Sequence, residues 1–271
     1  MTLVMVGVGA MGSAMGARLM ERGHDIIGVD PFLAPVGSAG TSVDGVPVLH
    51  SLSAVKGQGT RPSEVLVFVR LYDQVVSVLE DLAADPWFDG VPVSVLSTLR
   101  PSDARALAER FAASRALTEA PVSGGVLGAR TGTMTVLLAG NPGPWLDDTA
   151  TTVFRFEAYG LPAAAKLLNN ALGAANAHAL TATIEQAEGL GLDPAQLLDI
   201  VRVSSGGGWM ADHFEDFPVD LLWKDFGLLH DDYSVAFPAT TIDSDLPSAV
   251  ASARHRTATA RSTTGNDAAE R

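Results

Sequence analysis

The chain contains no cysteine. Disulfides, thiolate metal sites, cysteine nucleophiles and cysteine-ligated iron–sulfur clusters are thereby excluded. Lysine is scarce too: Lys56, Lys166 and Lys224 are the only ones, set against fifteen arginines. Acidic residues outnumber basic ones by 31 to 18, for a formal net charge of −13 at pH 7. Such a surface does not draw in phosphate backbones or anionic lipid, which need clustered Lys and Arg, so neither nucleic acid nor a membrane is expected as a partner. An anionic small molecule would have to find an isolated cation. A long uninterrupted apolar run is also missing. The Ala-rich stretch from Ala163 to Leu190 carries Lys166, Asn169, Asn170, His178, Glu185 and Glu188, too many polar groups for a bilayer helix. The N-terminus passes directly into Leu3-Val4-Met5-Val6 with no basic lead or cleavable apolar segment, and a cytoplasmic protein is expected.

What is present can build a sizeable core. Apolar residues make up 47% of 271, enough for two domains of ordinary size. The first half alternates β-branched runs with helical segments: Leu3 to Val6, Ser13 to Arg22, Ile26 to Asp30, then Val65 to Val69 and Val93 to Leu96. That alternation predicts βαβ units around a mostly parallel, doubly wound sheet, with strands buried on both faces. Pro31, Pro35, Gly37, Gly40, Pro47, Pro86 and Pro92 punctuate the connections. After Gly160-Leu161-Pro162 the pattern becomes helical. The predicted organisation is therefore an α/β domain over 1–160, an all-helical domain over 161–250, and a disordered tail over 251–271 lacking large apolar side chains. Ala163 to Leu190 reads as one helix of roughly 28 residues, about 40 Å long, and Asp193-Pro194 as the start of the next.

Four motifs carry chemistry. Gly7-Val8-Gly9-Ala10-Met11-Gly12 lies between a strand and a helix. Gly7 permits a tight turn, Gly9 close approach of a pyrophosphate, and Gly12 close helix–strand contact, with the helix N-terminus facing the phosphates. Asp30 closes the second strand 18 residues after Gly12; there a carboxylate accepts from both ribose hydroxyls and repels a 2′-phosphate, favouring NAD over NADP. The second motif is Glu119-Ala120-Pro121-Val122-Ser123-Gly124-Gly125, continued by Gly132-Thr133-Met134-Thr135. Ser123 beside two glycines is either an ordinary loop or a cradle for a carboxylate. In the third, Lys166 and Asn170 stand four apart on one helix face. A helix lysine is usually solvated, but Arg stays protonated near neutral pH whereas a desolvated Lys exchanges a proton, and this chain otherwise prefers Arg. The fourth, Lys224-Asp225, pairs a rare lysine with an acid.

In this order, from residue 3 to about residue 229, the motifs resemble the β-hydroxyacid dehydrogenase family, which includes 3-hydroxyisobutyrate dehydrogenase and tartronate semialdehyde reductase. The resemblance implies an N-terminal Rossmann domain, a long interdomain helix and an all-helical C-terminal domain supporting a homodimer or homotetramer. It implies Lys166 as the catalytic acid–base, Ser123, Gly124 and Gly125 on the carboxylate of a small hydroxy acid, and Asn170 orienting that substrate. Thr98 and Lys224 join Gly7, Gly9, Ala10, Met11, Gly12 and Asp30 as cofactor contacts. Arg18, Arg70-Leu71 and Pro162 depart from the family's usual Asn, Leu-Pro and second Gly, and the region after Leu229 is shorter than usual. Two other readings share the scaffold. An imine reductase usually lacks a lysine at the position of Lys166, and a non-catalytic NAD-binding protein would not need Ser123, Lys166 and Asn170 as a set. A decarboxylating 6-phosphogluconate enzyme would have a much longer C-terminal domain. No metal is expected, since His230-Asp231-Asp232 lacks a spaced His partner.

Overall fold

The structure, a computed structural model, describes residues 1–34, 41–113, 115–233 and 245–269. Pro35, Gly37 and Gly40, expected in a connection, lie outside them. The chain divides into two compact units, Met1–Lys166 and Leu167–Arg271.

The first unit is built from β1 (Thr2–Val6), α1 (Ala10–Glu21), β2 (Asp25–Val29), β3 (Thr41–Val43), β4 (Val46–Leu49), α2 (Leu52–Lys56), β5 (Glu64–Val67) and α3 (Tyr72–Ala84). There follow β6 (Val93–Val95), α4 (Pro101–Phe111), β7 (Leu117–Glu119), β8 (Val122–Ser123), α5 (Gly125–Thr131), β9 (Met134–Leu138), α6 (Trp145–Thr149) and β10 (Ala150–Arg155). Seven strands form a sheet in the order β3-β4-β2-β1-β5-β6-β7, parallel except where β3 meets β4. Successive residues of β1 serve opposite faces. Leu3 and Met5 pack with Met15 and Leu19 of α1 and with Trp145, while Val4 and Val6 pack with Val75 and Leu79 of α3 and Leu107 of α4. Apolar runs without alternation are what two covered faces require. The strand order reverses about β1, so the crevice at the C-terminal ends of β1 and β5 is where such a sheet takes a ligand. Strands β8, β9 and β10 make a second, smaller sheet.

A 29-residue helix follows, α7 (Leu161–Gly189). The division between the units falls inside it, after Lys166, rather than at residue 160. The reason is local: backbone N–H groups of Gly160 and Ala163 donate to the Glu119 carboxylate on β7, and Tyr159 Oη donates to the carbonyl of Leu117. Those bonds keep the first turn of α7 with the first unit. Pro162 sits inside that turn, where a missing N–H costs nothing.

The second unit contains the rest of α7 with α8 (Pro194–Arg202), α9 (Trp209–Asp212), α10 (Val219–Asp232) and α11 (Leu246–Ala269). Asp193 caps α8, its Oδ1 accepting from Ala195 N at 2.8 Å, with Pro194 in the first position. Ala174, Ala177 and Ile184 of α7 share a core with Leu198, Phe214, Leu222, Leu246 and Val250. No strand occurs after Arg155 among the described residues, and none of their helices is long and apolar enough to cross a membrane.

The segment expected to be a disordered tail from Ala251 is instead the continuation of a helix that begins at Leu246 and runs to Ala269. Few large side chains hold its first turns. Leu246, Val250 and Ala253 recur at helical spacing and are buried, and the Arg254 guanidinium donates to the carbonyls of Phe214 and Phe217. Leu246→Ala is expected to lower the free energy of unfolding by about 2–5 kcal/mol in urea titrations. A change within about 0.5 kcal/mol would mean that α11 adds nothing to this core.

Candidate functional site

Five strands of the first unit deliver residues to one edge of its sheet. Strand β1 ends in the glycine loop, β2 in Asp30, β5 runs on to Arg70, β6 to Thr98, and β7 through β8 to Ser123. At the loop, Gly7 has φ +92°, and a Cβ there would lie 2.5 Å from the Phe68 carbonyl oxygen; at Gly12 it would lie 2.1 Å from the Gly7 carbonyl oxygen. Those two glycines are required by the chain itself. Gly9 is different. It is the N-cap of α1 with φ −68°, open to any residue, and a Cβ there would meet no atom within 4 Å. The space it leaves lies beside a helix N-terminus with no side-chain cap bond, along the backbone of Gly9, Ala10, Met11 and Gly12. This fits a dinucleotide's pyrophosphate.

Asp30 is joined to the same loop. Its Oδ2 accepts from Val8 N at 3.1 Å, and its Oδ1 accepts from the backbone N–H groups of Phe32 and Leu33 at 3.0 and 3.3 Å. The carboxylate is thus oriented by three donors, with lone pairs left for hydroxyls. Thr98 is half-buried in the connection from β6 to α4. Arg70 is exposed, its backbone N–H given to Gln74 Oε1 at 3.1 Å, and its side chain makes no ion pair with a described residue. Arg18 reaches elsewhere: Nε donates to the Asp148 carbonyl on α6, and the guanidinium pairs with Glu21. That departure from the family pattern ties α1 to α6.

Ser123 ends β8 half-buried, and the exposed Gly124 and Gly125 follow with φ of +126° and +63°. Side chains rarely adopt those angles. The N–H groups of Gly124 and Gly125 therefore stand at the start of α5 without side chains beside them, a geometry compatible with either of the two options the sequence left. Lys166 lies on α7 and is only 8% exposed.

In the second unit, Asn170 is equally buried, and its Nδ2 donates to Asp225 Oδ2 at 2.6 Å. Asp225, 4% exposed, also pairs with Lys224 Nζ, 2.8 Å from its Oδ1. An ionised carboxylate only accepts, so Asp225 dictates which way the Asn170 amide faces: Nδ2 towards α10, Oδ1 away from it. The sequence contained Lys224-Asp225 as neighbours but gave no sign of the link to Asn170, 55 residues earlier. Glu119 was likewise visible only as part of a motif, not as the acceptor for two backbone donors.

Three comparisons bear on this arrangement. The family model for the NAD binding domain of 6-phosphogluconate dehydrogenase matches residues 2–155. A 3-hydroxyisobutyrate dehydrogenase of Pseudomonas aeruginosa is 32% identical over 231 residues, covering 80% of this chain and 74% of the relative. An L-threonate dehydrogenase of Cupriavidus necator is 30% identical over 286 residues, covering 96% and 90%. Among solved structures, a 3-hydroxyisobutyrate dehydrogenase from Salmonella typhimurium superposes with a TM-score of 0.77 at 25% identity, covering 91% of this chain and 93% of that one.

Because Gly9 has no neighbour to displace, Gly9→Ala is expected to leave the melting temperature unchanged while weakening NADH binding by about tenfold or more, measured by nucleotide fluorescence titration. Equal affinity in the variant would remove the pyrophosphate from this position.

Proposed function

The chain belongs to the β-hydroxyacid dehydrogenase family, and from that premise we propose that it is an NAD-dependent enzyme interconverting a small 3-hydroxy acid and its semialdehyde, with Lys166 as general acid–base. The observation that carries this reading is the burial of Lys166, 8% exposed, one turn of α7 before the equally buried Asn170. Lysine is almost never fully buried unless it is paired, so an amine held there is kept in a defined place. Arginine, which serves most basic positions of this chain, could not release a proton there near neutral pH.

NAD, which Gly9, Ala10, Met11, Gly12 and Asp30 would hold, would supply a hydride acceptor for the oxidation and, as NADH, a hydride donor for the reduction. The chain's own residues handle everything else. In the oxidation the neutral Lys166 amine takes the proton of the substrate hydroxyl at Nζ, leaving that oxygen as a carbonyl; in the reduction the Lys166 ammonium protonates the forming alkoxide. Ser123 Oγ and the N–H groups of Gly124 and Gly125 hold the carboxylate, which fixes the reacting carbon. Asn170 orients the substrate, and its Oδ1, turned away from Asp225, suits a hydroxyl better than a carboxylate. Asp30 accepts from the ribose hydroxyls and disfavours a 2′-phosphate, so NAD is preferred over NADP. Thr98 and Lys224 are assigned to cofactor contact. A homodimer or homotetramer belongs to the same reading.

The relatives named for 3-hydroxyisobutyrate and L-threonate share a carboxylate and a hydroxyl, which supports the substrate class rather than one acid. The test is NAD+ and NADP+ reduction by wild type and Lys166→Ala with 3-hydroxyisobutyrate, glycerate, 3-hydroxypropionate and threonate. NAD-linked turnover is expected, with kcat lower by about 10²–10⁴ in the variant. Inactivity of the wild type towards all four acids, or full activity of the variant, would contradict the proposal.

A further inference from the structure

Glu119 is the last residue of β7 and is buried at 6% exposure, yet the chemistry above makes no use of it. Both of its carboxylate oxygens are committed to the turn that starts α7: Oε2 accepts from Gly160 N at 2.6 Å and Oε1 from Ala163 N at 2.8 Å. The first N–H groups of any helix lack partners within it, and Gly160 has no side chain with which to cap its own helix. The cap comes instead from a strand whose position is fixed. Glu119 N and O both bond to Ala139 at 2.9 Å, and the residue is in register with Val95 of β6. The turn is seated a second time by Tyr159 Oη on the Leu117 carbonyl at 2.6 Å, and Gly160, at φ +85°, leaves no room for a side chain because Pro101 O would lie 2.8 Å from its Cβ. Ala163, the second residue held, lies three before Lys166 and so on the same face one turn away.

We propose that Glu119 is a positioning residue: its carboxylate fixes the first turn of α7 and with it the height and rotation at which Lys166 is presented for proton transfer. The proposal rests on the acid–base reading of Lys166. A carboxylate is the group this task needs. Two N–H donors require two acceptors, and an amide offers one while turning its own NH2 towards the other donor. A negative charge also suits a helix N-terminus. Burial pushes the Glu119 carboxyl above the usual carboxylate range, opposed by the Gly160 and Ala163 N–H groups and by the charge of Arg105. The charged and titratable groups facing it are Arg105 from α4 and Tyr159 from the turn, whose own hydroxyl is raised by burial and by the Glu119 charge. The ionised cap is therefore present at higher pH and is lost on acidification, at a pH above that of an ordinary glutamate.

The test compares wild type, Glu119→Gln and Glu119→Asp with the best acid of the panel. For Glu119→Gln, kcat is expected to fall by about tenfold or more with KM and NADH affinity unchanged. The part of the acid-side fall in kcat that comes from protonating Glu119 should be missing in this variant while the part that comes from protonating Lys166 stays, and the Gly160 and Ala163 amides should exchange hydrogen faster. Glu119→Asp, one methylene shorter but charged, should lie between the two; it carries the test if the Gln variant does not fold. A kcat and pH profile matching wild type would overturn the proposal even if the amides exchange faster, because Glu119 would then cap the helix without placing Lys166. Unchanged amide exchange would overturn it as well. A wild type without turnover would contradict the acid–base reading, not the cap.

Discussion

A lysine amine held inside a protein gives up most of the water that would solvate its charge, and the chemistry assigned to this chain depends on Lys166 being in that position. Its helix makes the burial possible. Ala163, Leu167, Ala171, Ala174 and Ala177 are all buried along α7, and four of the five are alanine, so the helix can be packed closely without large side chains. The first turn of the helix has little apolar grip of its own, whereas Leu180 and Ile184 anchor the later turns in the core of the second unit. Its start is held by polar contacts instead, from the Glu119 carboxylate and the Leu117 carbonyl on β7. Seating of the helix and placement of the amine are therefore one problem.

Charge is the second constraint. With a formal net charge of −13, the protein repels anions at long range, so the proposed carboxylate substrate would have to be held by local donors. In that proposal Ser123 and the two glycines after it are neutral donors of the kind that need no positive surface. Of the rare cations, Lys224 is tied to Asp225 and Lys56 to Asp85. Arg70 is an exposed cation just beyond β5, at the edge where such a sheet takes a ligand. Acids also do positioning: Asp30 holds the glycine loop through Val8, and Asp225 sets the amide of Asn170.

Much of the fold was legible in local pattern. The apolar runs at Leu3 to Val6, Ile26 to Asp30 and Val93 to Leu96 are strands because both faces of their sheet are covered, and the cap at Asp193 marks a helix start by chemistry readable within a few residues, whereas the first helix begins at Ala10, three residues before the expected Ser13. The glycine loop and Asp30 were legible for the same reason. What escaped depends on distance along the chain. Glu119 meets its partners 41 and 44 residues on, and Asn170 meets Asp225 after 55; no periodicity encodes such pairings. The helix that begins at Leu246 was missed because composition counts large side chains, whereas Leu246, Val250 and Ala253 fall on one face and seat its first turns.

The central claim is that the Lys166 amine carries the substrate's proton, and chemical rescue addresses it directly. Lys166→Ala would be assayed with the best hydroxy acid in the presence of small primary amines of graded basicity. The expected result is activity that rises with amine concentration and follows amine basicity, because the added base occupies the vacated position and takes the proton. Loss of activity that no amine restores, while NADH binding is intact, would contradict proton transfer by Lys166 and leave it a role in binding alone.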